Sequence, residues 1–135
     1  MDDRYTAAAQ ALATLIAQGG HTLVWGGTNT GTMKVIADAA QKAGGKIIGV
    51  SMELFKAGAR TNADEMLILP TLAQRKAKLI ELADAIVALP GGLGTLDEIS
   101  EVLELKKEGM YTKPIIFLNS NDFYAGLEIQ LKKMD

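Results

Sequence analysis

Cysteine is absent from the 135-residue sequence, and histidine occurs once, at His21. The first absence excludes a disulfide framework, a thiolate metal site and a thiol nucleophile. The second excludes a zinc site of the usual His-rich or Cys-rich kind. No apolar run approaches the ~20 residues of a membrane span, and the opening "MDDRYTAAAQ" does not read as a signal peptide. A soluble, cytoplasmic protein is therefore expected. An excess of positive charge is also missing. The formal charge of −2 argues against nucleic-acid binding, which needs a net basic face. An anionic ligand would have to be met by locally concentrated donors.

What is present suits one domain. Domains cluster near ~100–150 residues, and the 48% hydrophobic content supports an ordinary core. The residues from Tyr5 to Gln18 place Ala8, Leu12, Leu15 and Ile16 at helical spacing, with Asp2 and Asp3 as candidate caps. "HTLVW" (His21–Trp25), "KIIGV" (Lys46–Val50), "EMLIL" (Glu65–Leu69), "AIVAL" (85–89) and "PIIFL" (Pro114–Leu118) read as strands. Helices are predicted over 34–42, 71–83 and 95–108, with a last one in "DFYAGLEIQLKKMD". "SMELFKAGARTNA" (Ser51–Ala63) reads as a long polar loop or a loop with one helical turn, the kind of segment that is often functional. Alternating strands and helices with continuously apolar strands predict an α/β fold, a doubly wound parallel sheet with helices on both faces. Ligands of such sheets sit beyond the carboxyl ends of the strands, and both glycine-rich loops of the chain lie there.

The first of these loops is "WGGTNTGTM" (Trp25–Met33). Gly26, Gly27 and Gly31 allow sharp turning and close approach of bare N–H groups to an anion, beside the positive end of the next helix. Thr32-Met33 replaces the Lys-Ser/Thr pair of a P-loop, so a single phosphate fits better than a nucleoside triphosphate with magnesium. The alternative is a turn that needs glycine only for steric reasons. The second loop is "LPGGLGTLDE" (Leu89–Glu98), with Gly91, Gly92 and Gly94 following a proline that ends the strand. It lacks the third glycine of a dinucleotide fingerprint. Thr95-Leu96-Asp97-Glu98 has the form of a T-x-x-E capping box, so Glu98 serves either helix initiation or chemistry. Arg75 and Lys76 lie early in a helix that also follows a strand end, as ligand-binding cations or as a solvated basic face.

These motifs together resemble one family. "PGGLGTLDE" (Pro90–Glu98) is similar to the PGGxGTxxE signature of the Lonely Guy family, often mislabelled as lysine decarboxylases. Arg75-Lys76 is similar to its MxxRK segment, with Leu72 in place of the methionine. "GGTNTGTM" (Gly26–Met33) resembles its GGxxxGxM loop, and "KPIIFLN" (Lys113–Asn119) its KPxxxLN strand. The resemblance spans nearly the whole chain, with the motifs in the family's order.

The resemblance implies a Rossmann-like fold, a homodimer, and hydrolysis of N6-modified adenosine 5′-monophosphates or AMP to free base and ribose 5-phosphate. It implies catalytic roles for Arg75 and Glu98 and phosphate binding by Gly91, Gly92, Gly94 and Thr95. Gly26, Gly27, Gly31, Met33 and Lys76 complete the expected binding set. No metal or cofactor is implied; pyridoxal phosphate would need a Schiff-base lysine, and nothing marks one. A nucleoside monophosphate is the expected partner, with neither nucleic acid nor membrane. Proteins similar in these motifs include a molybdenum-cofactor carrier, so a non-catalytic nucleotide or cofactor carrier is the alternative. Two departures stand out. The family begins with a strand and a glycine-serine turn before the first helix, and it continues past the last one. A single nucleotide-binding domain over 1–135, as a fragment of a longer chain lacking that first strand, is expected. The second departure is Ala73-Gln74, standing where a histidine is frequent before the arginine.

Overall fold

The computed structural model describes residues 3–134, so Asp2 as a helix cap lies outside the described residues. The chain divides into two compact units, Met1–Ala83 and Asp84–Asp135.

The first unit opens with helix α1 (Asp3–Gln18), followed by strand β1 (Leu23–Trp25), helix α2 (Gly31–Lys42) and strand β2 (Ile47–Met52). A 3-10 segment (Glu53–Gly58), strand β3 (Glu65–Leu69) and helix α3 (Leu72–Leu82) complete it. Asp3 lies in the first turn of α1, where a carboxylate complements the helix dipole. The three strands are parallel in the order β1-β2-β3. Leu23 pairs with Ile47 and Trp25 with Gly49, while Ile48 pairs with Glu65 and Met52 with Leu69. The central strand is the apolar one the sequence suggests, with Ile47 and Val50 fully buried. Its crossover to β3 runs from Glu53 to Asp64, about the dozen residues that a parallel connection needs, and it uses the 3-10 segment in place of an α-helix. The expected polar loop is therefore shorter and partly ordered: Ser51, which is buried, and Met52 extend β2, and from Glu53 onward no residue is buried before Arg60.

α1 packs on α2 through alanines: Ala9, Ala13 and Ala17 on one side, Ala37, Ala39 and Ala40 with Ile36 on the other. This corrects the expected stripe of α1. Leu15 is exposed, and Ala8, Leu12 and Ile16 only flank the buried alanine line. The reason is close approach, because a Cβ added at Gly45 would stand 2.5 Å from the Ala17 Cβ. A helix pressed that tightly buries its smallest face.

The second unit contains strand β4 (Ile86–Ala88), helix α4 (Leu93–Lys107), strand β5 (Ile115–Phe117), a 3-10 turn (Ser120–Asp122) and helix α5 (Ala125–Met134). β4 and β5 are parallel, Ile86 opposite Ile115 and Ala88 opposite Phe117. Their core is Ala88, Ile99 and Tyr124, with Leu103, Phe117 and Leu127 packed against it. The Tyr124 ring lies 5.2 Å from that of Phe117 and 5.0 Å, edge-on, from that of Phe123. Each unit is thus α/β, its parallel strands flanked by helices, as expected. No helix among the described residues is long and apolar enough to cross a membrane.

Candidate functional site

The loop after β1 is shaped by two glycines for two different reasons. Gly27 has φ +81°, a conformation L side chains rarely adopt, and a Cβ there would stand 3.0 Å from the Met66 sulfur. Gly26 has no such backbone requirement. A Cβ there would collide with Nη2 of Arg75 and lie 2.9 Å from the sulfur of Met33. The position is bare because a guanidinium occupies the adjacent space. Three of the expected site residues, Gly26, Met33 and Arg75, are therefore brought together. Gly31 opens α2 with φ +58°, and nothing lies within 4 Å of where its side chain would stand.

Arg75 is half-buried and held by main-chain oxygens at the carboxyl ends of two strands. Its Nη2 donates to the Gly26 carbonyl at 2.8 Å and its Nε to the Val50 carbonyl at 2.8 Å. The Phe55 ring, from the 3-10 segment, lies 5.6 Å from the guanidinium carbon, within cation–π range. A solvated basic face does not describe this residue. Its helix starts at an N-cap that sequence reading overlooked: the Thr71 hydroxyl oxygen accepts from the Gln74 N–H at 3.2 Å and stands 3.0 Å from Gln74 Oε1. "TLAQ" carries the T-x-x-Q form of a capping box, so the signal was present. Lys76 is also half-buried but points about 100° around the helix from Arg75.

A second arginine, Arg60, was missed altogether. Only 8% exposed, its guanidinium donates to Asn29 Oδ1 at 3.0 Å, Asn62 Oδ1 at 2.8 Å and Gln41 Oε1 at 2.6 Å, and pairs with Asp38 Oδ1 at 2.7 Å. Lys34 reaches the other oxygen of Asp38 at 2.8 Å. Hydrogen bonds from Lys34 and Arg60 hold the Asp38 carboxyl below its ordinary pKa. No local pattern could have marked Arg60, since its partners come from three separate segments.

The loop of the second unit is arranged differently. β4 ends at Ala88, Pro90 is buried, and α4 begins at Leu93 with Gly92 as its N-cap. Thr95 is therefore the third helical residue. It is not the cap, and Glu98 falls in the second turn. The capping-box reading of Thr95 and Glu98 is overturned, because glycine takes the extended cap conformation (φ −103°, ψ −152°) three residues before the threonine. Thr95 instead folds its hydroxyl over Gly91, where an added Cβ would strike it. Gly92 and Gly94 face open space, with nothing within 4 Å of a Cβ at either. Glu98 is half-buried. Behind the loop, the Tyr124 hydroxyl donates to the Leu89 carbonyl, and the Tyr124 N–H donates to Asn119 Oδ1 at 2.6 Å. The asparagine that closes "KPIIFLN" thus seats the tyrosine that holds the start of the glycine loop.

Among the described residues no cluster of His, Asp or Glu is grouped to hold a metal ion. The first unit offers a guanidinium immobilised beside a glycine loop, and the second a glycine loop with open space at Gly92 and Gly94. Comparison with known proteins agrees with the sequence motifs. A family model described as "possible lysine decarboxylase" matches residues 33–135. The cytokinin riboside 5′-monophosphate phosphoribohydrolase of Rhodococcoides fascians is 39% identical over 127 residues, 92% of this chain and 64% of its own length. The protein of the same name from Mycobacterium marinum is 36% identical over 128 residues, 93% of this chain and 68% of its own. The chain thus spans about two thirds of the length of these relatives. Among solved structures, the molybdenum cofactor carrier protein from Chlamydomonas reinhardtii superposes with a TM-score of 0.80 at 24% identity, over 100% of this chain and 77% of that one, a likeness of fold. With its motifs, its parallel α/β elements and these relatives in agreement, the chain belongs to the Lonely Guy family.

Proposed function

We propose that the chain carries the nucleotide-binding and catalytic elements of a nucleoside 5′-monophosphate phosphoribohydrolase acting on the cytoplasmic pool of AMP or N6-modified AMP. In the reaction water adds to C1′ of the ribose, the C1′–N9 bond breaks, and the departing purine takes a proton. Positive charge develops on the sugar as the bond lengthens, in an oxocarbenium-like transition state. A carboxylate stabilises that charge and orients the water, and Glu98 is given this role. A permanently charged guanidinium suits the nucleotide phosphate or the departing base, and Arg75 is given that one. Gly26, Gly27, Gly31, Met33, Lys76, Gly91, Gly92, Gly94 and Thr95 are read as the set that binds substrate and phosphate, with Gly91, Gly92, Gly94 and Thr95 on the phosphate. A homodimer belongs to the same reading, by family resemblance.

The observation that carries the proposal is the seating of Arg75 on the Gly26 and Val50 carbonyls, which fixes a cation against a glycine loop of the family's pattern. The start of α4 at Gly92 supports it, because Thr95 and Glu98 then stand outside the positions of a capping box. The test is release of adenine and ribose 5-phosphate from AMP, and of the modified base from isopentenyladenosine monophosphate. Glu98→Gln and Arg75→Ala are each expected to lose at least ~10²-fold in rate. Tight AMP binding with no base release would favour a non-catalytic carrier. Unchanged turnover in Glu98→Gln would remove that residue from the mechanism.

A further inference from the structure

The first glycine loop has two residues at positive φ, Gly27 and Gly31, and glycine-rich segments are intrinsically loose. Its order must be supplied from elsewhere, and the crossover from β2 to β3 supplies it. The Arg60 N–H donates to the Gly27 carbonyl at 2.8 Å, and the Asn29 N–H donates to the Gly58 carbonyl at 3.0 Å. Thr28 and Ala59 form an antiparallel bridge between these two bonds. The Arg60 side chain then closes the arrangement from the other direction. One nitrogen binds the side chain of Asn29 in the loop, another reaches Asp38 and Gln41 on α2, and a third holds Asn62.

The consequence for the amides follows from peptide planarity. In a trans peptide the N–H points opposite to the preceding C=O. With the Gly26 carbonyl bound to Arg75, the Gly27 N–H is directed away from that guanidinium. With the Gly27 carbonyl bound to the Arg60 N–H, the Thr28 N–H is likewise fixed. The first of these two successive amides thus owes its direction to the side chain of Arg75, and the second to the main-chain N–H of Arg60, whose side chain grips the neighbouring Asn29.

We propose that the Arg60 side chain is the positioning group of this loop, holding Asn29 to α2 beside the Gly27 peptide that its main-chain N–H already binds, so that the loop amides are set for the nucleotide phosphate. The inference rests on the reading of that loop as a phosphate site. Arg60 touches no reacting atom and acts only through the loop. Lysine in its place would keep the charge but lose the planar fork that serves several partners at once.

The experiment uses Arg60→Lys and Asn29→Ala, the latter removing one exposed arm of the network; Arg60→Ala would leave Asp38 unpaired by the fork and is not relied on. Affinity for AMP by calorimetry, KM and kcat for AMP, and amide exchange of the peptide covering 26–31 are measured together. Both variants are expected to raise Kd and KM about tenfold, the loss of a charge-assisted bond, with kcat within about twofold. Exchange of the loop amides is expected to quicken while β2 stays protected. Unchanged affinity and unchanged loop exchange in the folded variants would overturn the proposal. So would a fall in kcat at constant KM, the mark of a residue that only keeps the fold. If the wild-type chain binds AMP but frees no base, the enzymatic reading fails, while the shift in Kd still decides the role of Arg60.

Discussion

The two glycine loops follow the same kind of element, a parallel strand, and lead into the same kind, an α-helix, yet they are secured by opposite physics. The first is held by charge: Arg75 on two strand-end carbonyls and Arg60 in a web of amides and a carboxylate. The second is held by an aromatic core, with one tyrosine hydroxyl reaching the Leu89 carbonyl and one threonine folded over Gly91. The difference shows that a glycine-rich sequence does not specify its own shape. Gly26 is bare to admit an arginine, whereas Gly94 is bare with open space before it.

Substitution at these two glycines is the sharpest way to break the comparison. Gly26→Ala places a methyl group where the Arg75 guanidinium and the Met33 sulfur stand, and overpacking of that kind costs about 1–3 kcal/mol. Chemical denaturation is expected to show that loss, together with loss of AMP binding as Arg75 is displaced. An unperturbed midpoint would mean that Arg75 need not sit there.

Tyr124→Phe should come next. It keeps the ring packing but strips the Leu89 carbonyl of its donor, at a cost of about 1–2 kcal/mol read from the same denaturation curves. Burial raises the Tyr124 pKa above its ordinary value of 10.0. A raised folded pKa means that its contribution is full below pH 10.0 and is lost as the pH climbs through the folded value. The Asp38 carboxyl behaves in the opposite sense. Its lowered pKa gives a contribution that is present above its ordinary value of 3.8 and is lost as the pH falls through the folded one. Stability profiles of Tyr124→Phe and Asp38→Asn are therefore expected to flatten at the alkaline and the acid limb respectively. A common limb for both would erase the contrast between the loops.

The smallest effect has the opposite sign. Gly94 lies in the first turn of α4 with room for a side chain, so Gly94→Ala should stabilise the fold by up to ~1 kcal/mol through helix propensity. If the Gly94 amide meets the phosphate, the same variant binds AMP more weakly despite being more stable. Gains in both would assign Gly94 to the turn alone.

How much of this the sequence disclosed follows from the range over which each determinant acts. The five strands and the α-helices were legible, because apolar runs and helical spacing are local. So were the glycine loops and the choice of Arg75 as a site candidate, through motif resemblance. The start of α4 was misread, since Thr95 and Glu98 carry the letters of a capping box while the choice of cap depends on the backbone at Gly92. The buried face of α1 was misread for a different reason. Alanines occur at 8–9 and 13, with apolar residues beside them, and only the approach of Gly45 selects among the faces. Arg60 was invisible because Asn29 and Gln41 lie far from it along the chain.

Arg75 stands braced by the ends of β1 and β2 before any nucleotide arrives. The rotamer freedom of a long cationic side chain is therefore surrendered when the chain folds, and an incoming anion meets a donor already stilled. Ligand affinity at that position is then governed by how well the anion fits a rigid partner, and shape should discriminate there more than charge.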